Sequence, residues 1–501
     1  MVGLRQAVLF SVAERYVALA LNFIMIATLA RLLTPTEFGY SVIGAATIGI
    51  VECLRDFGTS GFLVQARVVT LQATRTAFTV MLVLSFAIAA ALWTAAGPVA
   101  DFYERDGLNL YLQITALGLL AGPFASPPLA LLRRDMAFRA VAIINVAGAL
   151  TIALVTVMLA LIGASYMSFA WGILAGAFVT AALAVLLYGD VRIFLPCVAE
   201  WRAVLSFGGY SSAAGVFAKL NEFVPSLILG RLMDFSAVGL FSRAVMVCQM
   251  PDKCLLNGLL PIALPALAVE VRAGRRLAAA YLTGMTYITA VQWSSLLLLI
   301  FLAHPAVLIL LGEQWVSIVP LVQIISIGLL SSFPTVLAYS VLATAGAIRY
   351  AMIGALAGLV IGTVVAAIAA FWGLTVLALG VAGTCVIQAI LALYLVRLHA
   401  PFDAGELFGA LRKSAVVTVV CATVPALAIA LNGFDFELSI FQGIAIGGAS
   451  VAAWVMAVHW TEHPLATEVH LIAQTVANAG RGIGRELRTR VAMVRRSRAD
   501  T

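Results

Sequence analysis

Apolar runs of roughly twenty residues recur from one end of this chain to the other, and each is long enough as a helix to cross a hydrocarbon core of about 30 Å. Hydrocarbon offers no partner to a backbone N–H or C=O, so runs of this kind have to satisfy themselves as helices. The composition agrees: 63% of the 501 residues are hydrophobic, 11% are charged, and the mean hydropathy is +1.07. A soluble exterior could not hide that much apolar surface. The expected fold class is therefore an all-α polytopic membrane protein. Its spans are read at 8–30, 39–64, 77–96, 109–131, 138–162, 167–188, 206–230, 239–263, 279–303, 317–342, 351–372, 374–396, 414–432 and 439–459, about fourteen transmembrane helices.

Charge then sets orientation. Of the 30 basic residues, 22 fall at the N-terminus, in alternate connections, or in the tail that holds Arg481, Arg485, Arg488, Arg490, Arg495, Arg496 and Arg498. The opposite face keeps only Arg31, Arg105 and Arg231. By the positive-inside rule both termini are expected in the cytoplasm. The net charge of +7 follows from the same bias, so its expected partners are anionic lipid headgroups and not nucleic acid. The six cysteines contain no CxxC pair and read as small core residues.

The chain also repeats itself. LARLLTPTEFGY from Leu29 and LGRLMDFSAVGL from Leu229 align without a gap, matching Arg31 to Arg231 and Gly39 to Gly239. The same offset sets Glu52 opposite Asp252. An even number of helices per unit makes the repeats parallel, related by an axis along the membrane normal. The expected organisation is an N-terminal six-helix lobe at 1–190, a C-terminal six-helix lobe at 200–397, two extra transmembrane helices at 398–459, and a basic cytoplasmic tail at 460–501. Thr34-Pro35-Thr36-Glu37 reads as a capping box. Glycine spacings at Gly172 and Gly176, Gly354, Gly358 and Gly362, and Gly443 and Gly447 read as close helix contacts.

Ten charges fall well inside the spans of helices 1, 2, 7 and 8, while the other helices hold almost none in their central turns. The ten are Glu14, Arg15, Glu52, Arg55 and Asp56 in the first repeat, and Lys219, Glu222, Arg243, Asp252 and Lys253 in the second. Facing lipid, each would cost about 2.5–3.5 kcal/mol, so they are expected to face one another or a watered interior. Glu52, Arg55 and Asp56 share a helix face at i, i+3 and i+4, near the middle of the expected second helix. A wet cavity between lobes that holds an anion accounts for the clustering and for the equal number of cations. Arg15, Arg55, Lys219, Arg243 and Lys253 are its candidate ligands. Glu52, Asp56, Glu222 and Asp252, expected to pair with those cations, are candidates for coupling to a proton or Na⁺. The alternative is a set of ion pairs that only pins helices together.

Other chemistry finds little support. None of the three lysines follows a glycine, so no phosphate-binding Walker loop is present. His459 and His463 stand at the end of the last span and read as interfacial residues, not metal ligands. No connection is long enough for a catalytic domain, which points away from an enzyme. No cofactor is expected.

LARLLTPTEFGYSVIGAATIGIVECLRDFGTSGFLVQ (29–65), LLRRDMAFRA (131–140), KLNEFVPSLILGRLMDFSAVGLFSRA (219–244), LLGEQWVSIVPLVQI (310–324) and LATAGAIRY (342–350) resemble, in order, the landmarks of Wzx-type oligosaccharide-lipid flippases. These belong to the multidrug/oligosaccharidyl-lipid/polysaccharide exporter superfamily. The resemblance implies two facing six-helix lobes in the bacterial inner membrane. It also implies alternating-access export of an undecaprenyl-pyrophosphate-linked oligosaccharide for surface polysaccharide synthesis, beside a polysaccharide polymerase and chain-length or export partners. Ion-coupled drug exporters share that fold and are the alternative; five embedded cations favour an anionic substrate. The orientation is testable directly. A reporter active only outside the cytoplasm should give signal when fused after Asp106 and none after Thr501; the reverse pattern would invert the topology.

Overall fold

The structure is a computed structural model that describes residues 2–56, 58–65, 69–253 and 276–467. Those residues form helices and turns, without a strand. The first half runs α1 (Val2–Leu32), α2 (Pro35–Asp56), α3 (Thr59–Gln65), α4 (Leu71–Tyr103), α5 (Gly107–Leu119), α6 (Gly122–Arg134), α7 (Phe138–Leu161) and α8 (Met167–Tyr188). The second runs α9 (Trp201–Leu232), α10 (Phe235–Cys248), α11 (Leu277–Phe301), α12 (Ala303–Leu310), α13 (Val319–Leu329), α14 (Phe333–Thr344), α15 (Ile348–Ala369) and α16 (Leu374–His399). Two more helices, α17 (Ala404–Leu431) and α18 (Ile440–Trp460), follow.

Among the described residues ten helices are long and apolar enough to cross a membrane, and twelve if each of two bent pairs is one span. The chain is a multi-pass membrane protein; the expected count of fourteen is not confirmed among the described residues. Two expected spans, 109–131 and 317–342, are broken pairs, α5 with α6 and the Glu313–Leu329 segment with α14, each bent by 44°. The span expected at 239–263 appears as the fourteen residues of α10, and beyond Lys253 it lies outside the described residues. The tail from 468 also lies outside them.

The span expected at 39–64 is corrected as well. Helix α2 stops at Asp56, because Gly58 takes a left-handed φ of 62° and a new helix starts at Thr59. Thr59 Oγ1 donates to the Asp56 carbonyl at 2.6 Å, and Ser60 Oγ donates to Asp56 Oδ1 at 2.9 Å. Glu52, Arg55 and Asp56 therefore occupy the last turn or so of the helix and not its middle.

The order of elements recurs at the offset of 200. α1 and α9 end at Leu32 and Leu232, α2 and α10 start at Pro35 and Phe235, and the bent pairs share one angle. Capping repeats too. Glu37 Oε2 accepts from the Thr34 N–H at 2.6 Å, and Asp234 Oδ1 accepts from the Ala237 N–H at 2.6 Å.

The lobes meet at the end carrying these turns. A Cβ placed on Gly39 would overlap the Phe235 carbonyl, and one on Gly239 would overlap the Pro35 carbonyl. Helices α2 and α10 thus cross with each glycine on the other helix's first residue, which no side chain would permit. One core of fully buried residues spans this crossing, from Leu29, Phe38, Ile43 and Tyr111 to Leu229, Phe235, Val247 and Trp315. Away from the crossing the packing divides into separate cores. One lies within 277–410, and others stay within the first 188 residues.

Two fastenings flank the crossing. Arg231 pairs with Glu104 at 3.2 Å and lies over the Phe102 ring. Its repeat counterpart Arg31 donates to the Ile309 carbonyl at 2.8 Å, while Trp315 Nε1 donates to the Ala30 carbonyl at 2.8 Å. Arg31, Arg231 and Arg105, the three basic residues expected on the outer face, the last over the Phe235 ring, thus all reach across to the other lobe. Gly39→Ala or Gly239→Ala should lower stability in detergent by about 1–3 kcal/mol, the range for overpacking. Gly383→Ala, with nothing within 4 Å of its added Cβ, should be neutral or stabilising; equal thermal shifts for all three would discount the crossing.

Candidate functional site

The embedded charges lie on α1, α2, α9 and α10, the four helices that begin or end where the lobes cross, with Asp252 and Lys253 just past the end of α10. At about 1.5 Å per residue, Arg243 sits about 12 Å along its helix from the crossing, Lys219 about 20 Å, Glu52, Arg15 and Asp252 about 26 Å, and Arg55 about 30 Å. The charges form a ladder that starts beside the crossing and descends towards the other end.

Two rungs are ion pairs. Lys219 Nζ stands 2.7 Å from Glu222 Oε2, and Arg55 Nη1 stands 3.6 Å from Glu52 Oε1. They face each other across the lobe boundary, since a Cβ on Gly49 of α2 would lie 3.8 Å from Lys219 Cδ and 3.2 Å from the Phe223 ring. Lys219 also lies over that ring, at 5.3 Å. Arg55 is 12% exposed, and its guanidinium lies on the Cα of Gly122, at the α5–α6 bend.

The other acids depart from the expected pairing with cations. Asp56 takes the Ser60 hydroxyl, Glu14 takes the Asn145 amide at 2.5 Å, and Asp252 takes the Gln292 amide at 3.4 Å from both carboxylate oxygens. Only Glu52 and Glu222 pair with cations of the cluster. Gln292 is 1% exposed and also donates to Ser332 Oγ at the second bend. In each lobe, then, the polar end of the second helix reaches the break in the bent pair.

Neutral donors on three acids leave three cations without a carboxylate within 4 Å among the described residues: Arg15, Arg243 and Lys253. Arg15 is exposed on α1 and stands apart from the rest. Lys253 lies within electrostatic reach of Glu222, Lys219 and Arg243. Arg243 is the most enclosed. Its guanidinium carbon lies 4.8 Å above the Phe38 ring, one nitrogen touches Met246 Sδ at 3.5 Å, and its buried Nε has no partner. The structure thus brings Glu52, Arg55, Asp56, Lys219, Glu222, Arg243 and Lys253 to one boundary and leaves Arg15 and Asp252 at its margins.

Sequence reasoning missed Phe38, Gly122 and Gln292. A lone amide inside an apolar helix could have marked Gln292. Phe38 and Gly122 carry no local signal, because their roles come from residues some two hundred and some seventy positions away.

A family described as polysaccharide biosynthesis protein matches residues 28–320. The chain is 22% identical to the lipopolysaccharide biosynthesis protein WzxC of Escherichia coli K12 over 64% of its own length and just under two thirds, 66%, of that protein. It is 24% identical to the succinoglycan biosynthesis transport protein ExoT of Rhizobium meliloti, over 66% of this chain and 67% of ExoT. Among solved structures, the lipid II flippase MurJ in an inward closed conformation superposes with a TM-score of 0.71 at 12% identity, covering 93% of this chain and all of MurJ. An inward-facing multidrug resistance MATE family transporter of the MOP superfamily gives 0.63 at 14% identity, over 77% of this chain and 94% of the transporter. With a profile that covers more than half of the sequence, the chain belongs to the polysaccharide biosynthesis protein family, and its fold is that of the two-lobed MurJ and MATE transporters.

Proposed function

We propose that the protein is a flippase that carries a polyprenyl-diphosphate-linked oligosaccharide across the bacterial inner membrane for surface polysaccharide synthesis, by alternating access. The observation that carries this reading is Arg243, an enclosed guanidinium at the lobe boundary with no carboxylate beside it. A cation so placed calls for an anion from outside the protein. A diphosphate meets that need: its oxygens suit a guanidinium fork and the neighbouring ammonium groups of Lys219 and Lys253. Arg15 and Arg55 would continue the basic path, while the prenyl chain stays in lipid. Names such as WzxC and ExoT, tied to lipopolysaccharide and succinoglycan synthesis, support the substrate class. Both termini are placed in the cytoplasm by the basic-residue bias, which makes the closed end periplasmic and the state inward-facing.

Arg243→Gln should lower affinity for farnesyl diphosphate about ten- to a hundredfold and abolish polysaccharide export at a normal membrane level. Unchanged binding would remove the diphosphate site. The companion change, Glu52→Gln with Arg55→Gln, takes out a pair together. Lost export at normal protein level would put Arg55 on the substrate path, whereas normal export would make the pair a support for the α5–α6 bend.

Transport coupled to a proton or Na⁺ would act through a carboxylate that no cation already holds. Asp252 is the best placed, with amide contacts only and the buried Gln292 Oε1 beside it unpartnered. Export into inverted vesicles should then respond to one of the two gradients and lose that response in Asp252→Asn. Insensitivity to both gradients would end the coupling proposal.

A further inference from the structure

Arg243 belongs to α10, whereas the ring beneath it, Phe38, belongs to α2 of the other lobe. Phe38 has no exposure and is held edge-on by Trp315 and Phe169, with centroids 5.3 Å and 5.4 Å away. It immediately precedes Gly39, so it sits at the crossing where the lobes touch through backbone. We propose that Phe38 is a positioning residue for Arg243, and that the site's affinity for a diphosphate therefore depends on the lobes being closed at this end. The inference rests on the diphosphate reading above.

The argument is electrostatic and geometric. An aromatic face carries negative potential and attracts a guanidinium laid over it. Held there, the guanidinium keeps its planar fork in one orientation, so less freedom is lost when phosphate oxygens bind. Among the described residues Arg243 otherwise bonds to the Met246 sulfur alone, which would leave the fork unguided. Opening the closed end must separate α2 from α10 at Gly39 and Gly239. That motion withdraws Phe38 and leaves Arg243 without its platform just as the site comes to face the other side. The substrate is then gripped while this end is shut and released when it opens. Differential affinity of this kind is what lets binding and conformational change drive one another.

The test replaces Phe38 in the full-length protein with phenylalanines bearing one, two and three ring fluorines, which drain the face potential while nearly keeping shape. Farnesyl diphosphate binding in detergent should weaken stepwise, by about three- to tenfold at three fluorines. Melting temperatures should stay close to that of the unsubstituted protein. Gly239→Ala, which pushes α10 off α2, should weaken binding in the unsubstituted protein and have much less effect in the trifluorinated one. Flat affinity across the series, with Arg243→Gln still weakening binding, overturns the role of Phe38 and leaves the diphosphate site standing. Binding that is absent from the outset, or indifferent to Arg243, fails the functional reading instead. Equal effects of Gly239→Ala with and without fluorines overturn the link to lobe closure.

Discussion

The two lobes meet only because Gly39 and Gly239 let backbone touch backbone. A Cβ at either position would overlap a carbonyl of the facing helix, so any larger residue would hold α2 and α10 apart. That approach brings Tyr40, which stacks at 4.1 Å on Tyr166 of its own lobe, onto Phe235 at 4.7 Å. It also sets Phe38 under Arg243 and Trp315 against the turn that ends α1. Without a hydrophobic driving force between helices in lipid, packing this close is a main source of association. The shared core, the fastenings and the cross-lobe site all depend on it.

Much of this frame was legible in the sequence. The capping box at Thr34, the register of Gly39 with Gly239, and the pairs at Glu52–Arg55 and Lys219–Glu222 are local patterns, and local patterns survive folding. Helix ends read less well. Hydropathy runs smoothly through Gly58, so a span was expected where the chain stops and restarts. The 44° bends were partly legible: Pro334 marks the second as a bending point, whereas the first breaks just ahead of Pro123 and not at Pro127 or Pro128. Partners of the acids were the least legible part. Asn145 reaches Glu14 from 131 positions away, and Gln292 reaches Asp252 from 40; nothing in the spacing of one helix could announce them.

Those neutral partners decide what the charge cluster can do. Had each of the five acids paired with a cation, the boundary would hold a closed set of ion pairs with nothing left for a ligand. Serine and amide donors satisfy part of a carboxylate's demand without consuming a cation. They leave the boundary with cations to offer at Arg243 and Lys253, next to two pairs that can rearrange. Cations without a carboxylate at contact, such as Arg243, suit an anion better than a cationic compound.

Repeat symmetry extends to the fastenings in position but not in chemistry. Arg231 and Arg31 occupy equivalent last turns, yet Arg231 pairs with Glu104 through side chains that are 45% and 74% exposed, while Arg31 bonds to backbone carbonyls beside a fully buried Trp315. An ion pair that exposed is worth about 0–1 kcal/mol, so it can orient the lobes but hardly hold them. The holding falls to the aromatic seam and to the bonds that Arg31 and Trp315 donate to backbone carbonyls on the α1 side. Lobes closed this way can part without breaking a buried ion pair, an event that would cost about 3–5 kcal/mol. A closure made of apolar surface and bonds to backbone carbonyls is thus strong enough to seal one end and cheap enough to reverse. The side with the weaker fastening, between α4 and α9, is where separation meets least resistance.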